Sequence, residues 1–564
     1  MSRTDSTVVQ PSATSKEASV NPTADISSDT IGNSASTTSP PTRPPTAKGH
    51  HSFDIEHVPV KNDPRAWSPL RKNISLALIA SASMIAGLSA NIQNPAVEQM
   101  EKELPATSEQ FSLSISVFIL IQGVMPLLWS VVSEVKGRKL VYVVSLGLFT
   151  LGTIIVALSH NIGLVIGFRS LQAAGSSAVM SIGAASLADI FDPAERGRKM
   201  GIYYIAPLLG PAMGPIFGGV LTSAWNWRAI FWFLAIVSGT ITLSFFFFFR
   251  DTFRKERSVI YQNVLKQRMR EAIKHHSGTS TPASRDEKTI VDADVEKAEK
   301  QEPTSSAPVQ LSMDDVKVSI IDVNPFKPLL EVLRRKNNLV ILFASGLLFA
   351  FNFLIVYTSS RTLSRFYSYP PFKIGLVTLA YGLGAVAGSI LGGRYSDREL
   401  AKMKEKHGGL SEPEMRLKSI MLGAIFLPPC VVGFGWICKS HVHVSALCVF
   451  LFLGGFFSIW IYSSTLAYIV DANNGRSSTA VAANSAFRGI SAFVATEIAV
   501  PLQDGLGDGW MYTIWGGIMA FAAALIVLVC VKGEQWRHSA EDRERRIAEL
   551  LDTNPLEPQK EQKA

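Results

Sequence analysis

Three ionisable residues lie inside long apolar runs of this 564-residue chain, where they could carry protons or bind charged groups. A cation such as Arg169, near the middle of its run, costs roughly 2.5–3.5 kcal/mol on membrane-insertion scales, so we expect it to have a polar partner. Arg488 is a second cation of this kind, and Glu497 is a candidate proton carrier because burial favours a neutral carboxyl. Alternatively, Arg169 bonds structurally to carbonyl groups of a neighbouring helix, and Glu497 is solvated at the membrane boundary.

Glycine and proline recur at helical spacing in the apolar run 199–222. Glycines at every fourth position line one face of a helix and let a neighbouring helix pack closely. The prolines remove backbone N–H groups, which a membrane helix tolerates only where protein or a cavity satisfies the freed carbonyls. The residues concerned are Gly210, Pro211, Gly214, Pro215, Gly218 and Gly219. They predict a close helix seam, and a purely structural seam is the alternative to a functional one.

Twelve apolar runs of roughly 20 residues are each long enough to cross about 30 Å of hydrocarbon. They lie at 74–97, 111–132, 139–158, 161–187, 199–222, 228–249, 339–359, 373–394, 418–438, 443–468, 479–501 and 510–531. Lysine and arginine are concentrated in alternate loops, which predicts that both termini are cytoplasmic. The external loops then hold only Lys102, Arg228, Arg361, Arg365, Lys373 and Lys439. The net charge of +8 reflects this bias, so we do not expect nucleic-acid binding.

A long polar linker divides the runs six and six. The predicted order is a disordered cytoplasmic tail (1–65), an N-terminal six-helix bundle (66–250), a cytoplasmic linker (251–338), a C-terminal six-helix bundle (339–531) and a cytoplasmic tail (532–564). The linker segment from Val259 to His275 fits an amphipathic helix lying on the membrane surface. The four cysteines have neither a disulfide framework nor zinc spacing, and we expect neither a metal nor another cofactor.

Several motifs together resemble the twelve-span drug:proton antiporters of the major facilitator superfamily. The loop after the second run keeps Gly137-Arg138-Lys139, the fourth run reads Arg169-Ser-Leu-Gln-Ala-Ala-Gly175, and 210–219 is similar to the antiporter motif of the fifth span. The stretch from Val470 to Tyr512 looks most like the fungal quinidine-resistance and dityrosine-exporter group. Over about residues 65–535, the resemblance implies an all-α membrane protein of two pseudo-symmetric six-helix bundles. It also implies a role for Arg169 in proton coupling.

The same resemblance implies a gate of charged residues at the cytoplasmic side. Glu134 is expected near the start of the eleventh span, where a helix N-terminus favours negative charge. Arg138 is expected to meet Asp189 at the end of the fourth span. Asp397 follows the eighth span, at the corresponding place in the second half. Solvated loop charges without a gating role are the alternative.

Polar and aromatic residues inside the runs are candidate substrate contacts, because an apolar pocket with few polar groups suits amphipathic ligands. They are Asn91, Gln122, Asn352, Tyr357, Tyr381, Tyr462 and Asn484, together with Trp460. For each residue alone, packing or interhelical hydrogen bonding is the alternative.

We predict a monomeric, proton-coupled antiporter of the plasma membrane. Its substrates would be small amphipathic organic molecules such as drugs, polyamines, modified amino acids or secondary metabolites. The sequence has no phosphate-binding P-loop and no catalytic constellation within a span, so we expect neither ATP-driven transport nor an enzyme. The alternatives are proton-coupled or facilitative transport of an organic acid or other nutrient, and a membrane sensor on the same fold.

Overall fold

The computed structural model describes residues 60, 62–258, 261–262, 264, 326–406, 408, 412–473 and 476–553, which belong to one compact unit. All regular elements in these ranges are helices. The N-terminal half contains α1 (Pro69–Asn91), α2 (Val97–Glu103), α3 (Ser108–Val124), α4 (Pro126–Lys136), α5 (Arg138–Ala157), α6 (Ile162–Ile190), α7 (Pro193–Ala224) and α8 (Trp227–Phe248). The C-terminal half contains α9 (Phe326–Arg334), α10 (Lys336–Arg365), α11 (Pro371–Lys406), α12 (Glu414–Leu417), α13 (Met421–Lys439), α14 (Val444–Asp471) and α15 (Ser477–Thr553). Most of the predicted linker, with its amphipathic helix, lies outside the described residues.

Among the described residues, ten helices are long and apolar enough to cross a membrane. The pair α3 and α4 adds an eleventh span, bent by 40° where Pro126 begins α4. Proline has no N–H to continue the helix ladder, which accounts for the break. α15 is interrupted at Gly507, whose φ is 72° and ψ is 167°. The two parts of α15 correspond to the eleventh and twelfth predicted runs, and the total of twelve stays a prediction.

Gly137 fixes the position of Arg138 at the junction of α4 and α5. Its φ of 89° lies in the region that glycine adopts without a Cβ penalty. A Cβ on Gly137 would collide with the carboxylate of Asp251, which follows α8. The same carboxylate accepts a hydrogen bond from the backbone N–H of Arg138 at 3.0 Å. The glycine therefore lets the segment after α8 hold the first residue of α5.

α7 packs backbone to backbone against α1. A Cβ on Gly210 would lie 2.5 Å from the carbonyl oxygen of Met84, and a Cβ on Gly214 would lie 3.2 Å from that of Leu88. Gly218 meets the carbonyl group of Ile92 in the same way. All three glycines thus face α1, the arrangement that their spacing predicts.

Two further seams of small residues join the halves. α7 packs on α11, where a Cβ on Gly219 would lie 2.6 Å from the carbonyl oxygen of Pro371. α3 packs on α15, where a Cβ on Gly123 would lie 2.6 Å from the Cα of Gly489. Close packing of this kind gives van der Waals contact between helices in a solvent where burial of apolar surface gains little.

Hydrogen bonds between the described parts of the halves lie toward one end of these seams, which we call the closed end. It is the end that the loop charges predict to be external. The bonds are Ser112 Oγ to Thr496 O at 2.6 Å, Phe372 N to Ser223 Oγ at 3.1 Å, Arg365 Nη2 to Ser108 Oγ at 3.3 Å, Ser116 Oγ to Glu497 and Ser364 Oγ to Glu98.

The prediction that Arg361 and Arg365 lie in an external loop is wrong, because α10 continues to Arg365. The polar residues after 357 lower the hydropathy of this stretch without ending the helix. Their hydroxyls bond to the helix itself: Thr358 Oγ1 donates to the carbonyl of Leu354 at 2.7 Å, and Thr362 Oγ1 to that of Thr358 at 3.1 Å. The side chain of Arg361 is only 3% exposed.

The α1–α7 seam gives a testable prediction. Gly210→Ala should lower the midpoint of thermal unfolding in detergent, because overpacking of a close contact costs about 1–3 kcal/mol. The matched control is Gly201→Ala in the same helix, where a Cβ meets nothing within 4 Å. Alanine there should leave the midpoint unchanged or raise it, since it favours helix over glycine by up to about 1 kcal/mol. Equal midpoints for the two variants would contradict the close seam.

Candidate functional site

Arg169 lies in α6 with its side chain wholly buried in the N-terminal half. Nη1 donates to Gln172 Oε1 at 3.3 Å, and Gln172 in turn donates to Thr153 Oγ1 at 2.7 Å. The guanidinium stacks on Phe118, with 4.4 Å to the ring centroid. Nε and Nη2 have no acceptor among the described residues. The expected polar partner is Gln172, and this cation forms no ion pair with a described carboxylate.

Arg488 of α15 has a similar environment in the C-terminal half. It lies over the rings of Phe349 at 3.8 Å and Tyr462 at 4.9 Å, and Nη1 donates to the Tyr462 hydroxyl at 2.7 Å. One turn earlier, Asn484 is buried, and both polar atoms of its amide lack a hydrogen-bond partner in the described part of the chain. Buried polar groups without partners are costly, so this pair is suited to a polar ligand.

Five of the predicted residues form one patch, which we call the C-terminal polar patch. Asn352 accepts hydrogen bonds from Tyr381 and from Ser458 Oγ, the latter at 3.0 Å. Ser458 and Tyr462 are one turn apart on α14, and Phe349 and Asn352 are one turn apart on α10. The patch comprises Asn352, Tyr381, Tyr462, Asn484 and Arg488, with Phe349 and Ser458. Trp460, on the same helix as Tyr462, instead donates to the carbonyl of Ser419 at 3.2 Å.

The other predicted contacts lie apart from this patch. Gln122 donates to the carbonyl of Ala86 and to Ser176 Oγ, both at 3.2 Å, within the N-terminal half. Asn91 accepts from Asn94 at 3.4 Å, next to the closed end. The Tyr357 hydroxyl is buried without a described partner, one turn before Arg361. Gln122 therefore forms hydrogen bonds between helices, and Asn91 forms a local one near the end of its own helix.

Glu497 lies on the α3–α15 seam, where its carboxylate accepts from Ser116 Oγ of the other half. Its side chain is half-buried, so it is neither wholly enclosed in the protein nor fully exposed at the membrane boundary. Glu497 and Arg488 do not pair with each other. They lie on roughly opposite faces of the same helix, since their separation along the chain is about half a turn out of phase. Glu497 is thus an acid at the contact between the two halves.

The predicted gate residues of the N-terminal half meet around Arg138, whose side chain is buried. Nη2 donates to Glu134 at 2.8 Å and Nε to Asp189 at 3.5 Å. Asp189 also accepts from Thr252 Oγ1 at 3.2 Å. Glu134 accepts from Arg138 and from Ser258 Oγ, the latter at 3.0 Å. These bonds stay within the N-terminal half and the start of the linker, and none of them reaches the start of α15.

The C-terminal half repeats this arrangement around Arg416. Nη1 contacts Asp397 at 3.0 Å and Nε contacts Asp471 at 2.5 Å. Asp189 and Asp471 occupy corresponding places, at the ends of the fourth and tenth predicted spans. Asp397 was predicted from the sequence, whereas Arg416 and Asp471 were not. No local pattern points to them, because the three residues lie on three separate helices.

A second group that the sequence argument missed lies at the closed end. Arg361 Nη1 donates to Gln503 Oε1 at 2.6 Å, and its Nη2 lies 3.1 Å from Asp504. Gln503 donates through Nε2 to Asp508 at 2.7 Å, and Asp508 also accepts from Thr362 Oγ1 at 2.8 Å. This network fastens α10 to α15 beside the hydrogen bonds that join the halves.

One group of three described side chains could hold a metal ion. Ligand atoms of Glu412, Glu534 and His538 lie within 4.8 Å of one another, and two of the three residues are exposed. The expectation of no metal stays a prediction.

Comparisons with known proteins agree with this architecture. The family model described as Major Facilitator Superfamily matches residues 79–496. MFS antiporter QDR3 of Candida albicans is 27% identical, over 85% of this chain and 80% of its own length. Quinidine resistance protein 3 of Saccharomyces cerevisiae is 26% identical, over 86% and 85% of the two chains. Citrate exporter 1 of Aspergillus niger is 27% identical, over 84% and 88%.

A crystal structure of the human organic anion transporter MFSD10 (TETRAN) has the same fold. It superposes with a TM-score of 0.53 and 16% sequence identity, over 82% of this chain and all of the other.

The closed-end network gives a prediction with a matched control. Arg361→Gln should lower the midpoint of thermal unfolding in detergent, because it leaves the buried amide oxygen of Gln503 without its donor, at a cost of about 1–3 kcal/mol. Arg365→Gln removes the neighbouring arginine, which is 47% exposed and pairs with the same Asp504. It should cost less than about 1 kcal/mol, as exposed ion pairs do. A larger effect at Arg365 than at Arg361 would contradict the described network.

Proposed function

The chain belongs to the major facilitator superfamily, and we propose that it is a proton-coupled antiporter that exports small organic molecules. Its similarity to fungal drug-resistance proteins and to a citrate exporter supports membrane transport with efflux as the direction. Proton coupling is our own inference, and its main support is the position of Glu497.

Glu497 links proton binding to the contact between the halves. Closing a helix seam over an ionised carboxylate takes charge out of water, whereas a neutral carboxyl bonded to a hydroxyl is tolerated. Protonation of Glu497 therefore favours the closed seam with Ser116, and ionisation favours separation of α3 and α15. A proton taken up while this end is open would then promote its closure.

The described state also fits binding of substrate from the cytoplasm. With the closed end external, as the loop charges predict, the hydrogen bonds that join the halves exclude access from outside. The ionic groups around Arg138 and Arg416 each stay within their own part of the chain, so none of their bonds joins the halves at the opposite end. Opening toward the cytoplasm is the first step that an exporter requires.

The C-terminal polar patch supports an acidic substrate. Arg488 offers its guanidinium and Asn484 its amide, while no described carboxylate pairs with Arg488. A substrate carboxylate would offset this charge and accept charge-assisted hydrogen bonds, whereas a polyamine would meet like charge. Phe349 and Tyr381 add apolar surface for an amphipathic body. Export of an anion from a cell with a negative interior also gains about 2.3 kcal/mol per charge for each 100 mV.

Proton coupling predicts a specific behaviour of Glu497→Gln. In proteoliposomes holding a pH gradient, the variant should lose uphill transport but keep exchange of labelled for unlabelled substrate, because the amide cannot cycle a proton. Glu109→Gln on the exposed surface of α3 is the matched control and should pump normally. Wild-type uphill transport by Glu497→Gln, with an unchanged pH profile, would assign a structural role to this residue.

Substrate charge gives a separate prediction. Arg488→Gln should weaken the inhibition of transport by an added organic acid at least about tenfold, which corresponds to ~1.4 kcal/mol. Inhibition by an amine on the same carbon skeleton should change little. The control Arg394→Gln, at an exposed position, should leave both values unchanged. Equal loss of inhibition by acid and amine would contradict the proposed role of the patch.

A further inference from the structure

A cavity of about 660 Å³ lies in the N-terminal half, apart from the C-terminal polar patch. Its walls come from the segment before α1, the first turns of α1 and α5, and the segment after α8. The lining residues are Asn62, Asp63, Ala66, Trp67, Arg71, Lys139, Arg250, Asp251 and Arg254. All these segments lie at the end of the bundle opposite the closed end, which the loop charges predict to be cytoplasmic.

Three of its four cations have no acidic partner within the described residues. Arg71 stacks on Trp67 at 5.3 Å, and Lys139 Nζ donates to the carbonyl oxygen of Phe246 at 2.9 Å. Arg250 is exposed. None of these three forms an ion pair with a described carboxylate, so their charges face the cavity uncompensated.

The fourth cation, Arg254, braces the wall. It donates to the backbone carbonyl groups of Asn62 at 2.7 Å and Asp251 at 3.2 Å. It thereby ties the segment before α1 to the segment after α8, which form two walls of the cavity.

The two acids of the cavity are already occupied by the protein. Asp63 accepts two hydrogen bonds from Arg257, at 2.8 and 2.6 Å, and one from the backbone N–H of Arg65 at 2.9 Å. The bond from Arg257 lowers the pKa of Asp63, so this pair stays ionised and internally balanced near neutral pH. Asp251 accepts from the backbone N–H groups of Arg138 and Phe253 at 3.0 and 3.1 Å. Asp63 is thus balanced by Arg257, and the one remaining carboxylate, Asp251, leaves the four lining cations in excess.

Exposed apolar side chains adjoin the lining residues along the chain. Phe246, Phe247 and Phe248 precede Arg250 and are 56–70% exposed, and Leu70 precedes Arg71 and is 72% exposed. Lys139 Nζ lies 5.9 Å from the centroid of the Phe246 ring, and Trp67 lines the cavity with a half-buried side chain. Basic pockets flanked by aromatic side chains at a cytoplasmic helix end suit lipid head groups, whereas a soluble anion would not use these apolar side chains.

We propose that this cavity binds the phosphate head group of an anionic phospholipid from the inner leaflet. Arg71, Lys139 and Arg250 would hold the phosphate, and the acyl chains would run along the phenylalanines of α8. Asp251 also accepts a hydrogen bond from the backbone N–H of Arg138. A lipid bound here would therefore stabilise the segment that positions Arg138 and its partners Glu134 and Asp189.

The test measures lipid binding by the purified full-length protein in nanodiscs or mixed micelles. Native mass spectrometry would compare retention of phosphatidylinositol with that of phosphatidylcholine, and thermal unfolding would report stabilisation. The wild type should prefer phosphatidylinositol. The variant carrying Arg71→Gln, Lys139→Gln and Arg250→Gln should lose that preference by about tenfold or more. The matched control carries Arg394→Gln, Arg398→Gln and Lys404→Gln, three exposed cations of α11, and should retain it.

Three outcomes would overturn the proposal. They are equal retention of the two lipids by the wild type, equal loss in the two triple variants, and equal stabilisation by soluble inositol phosphate, which would point to a soluble anion. If the first triple variant does not fold, Arg250→Gln alone decides, because its side chain is exposed at the surface. It should lower the preference two- to threefold, and an unchanged preference counts against the site.

Discussion

Direct backbone contact between helices is the constraint on which the other features of this protein depend. In a bilayer the hydrophobic effect gives little force between helices, so contact depends on van der Waals packing and on residues small enough to permit it. α7 uses Gly210 and Gly214 against α1 and Gly219 against α11, and α3 uses Gly123 against α15. The same two helices, α7 and α3, therefore carry the contact between the halves. Any exchange between open and closed states therefore acts on these seams.

The buried and half-buried arginines of the two halves are held in two different ways. Arg138 and Arg416 are each held by two carboxylates of their own part of the chain, so they are balanced in the described state. Arg169 and Arg488 are held by aromatic rings and neutral groups, so their charge is not compensated by a described acid. The first arrangement suits a structural role, and the second suits groups that bind an anionic ligand. Glu497 differs from both pairs of arginines, because it is an acid at the contact between α3 and α15.

Sequence predicted those features that depend on long periodic signals. Apolar runs predicted the spanning helices, the resemblance to a known family implied the fold class, and glycine spacing predicted the face of α7 that packs on α1. The position of Arg361 could not be read correctly, since a run of serines and threonines looks like a loop although their hydroxyls bond to their own helix. The partnership of Arg416 with Asp397 and Asp471 was hidden because it joins residues from separate helices. The grouping of Asn352, Tyr381 and Arg488 likewise depends on the tertiary packing of α10, α11, α14 and α15, which no local pattern encodes.

In the proposed antiport, substrate and protons move in opposite directions through one protein. The most direct measurement is proton flux driven by substrate alone, in sealed proteoliposomes that start with equal pH on both sides and contain a pH-sensitive dye. An outward gradient of an organic acid substrate should acidify the lumen as protons enter, with a fixed ratio of protons to substrate, and Glu497→Gln should abolish the proton signal. Substrate efflux without any change in internal pH would contradict the account.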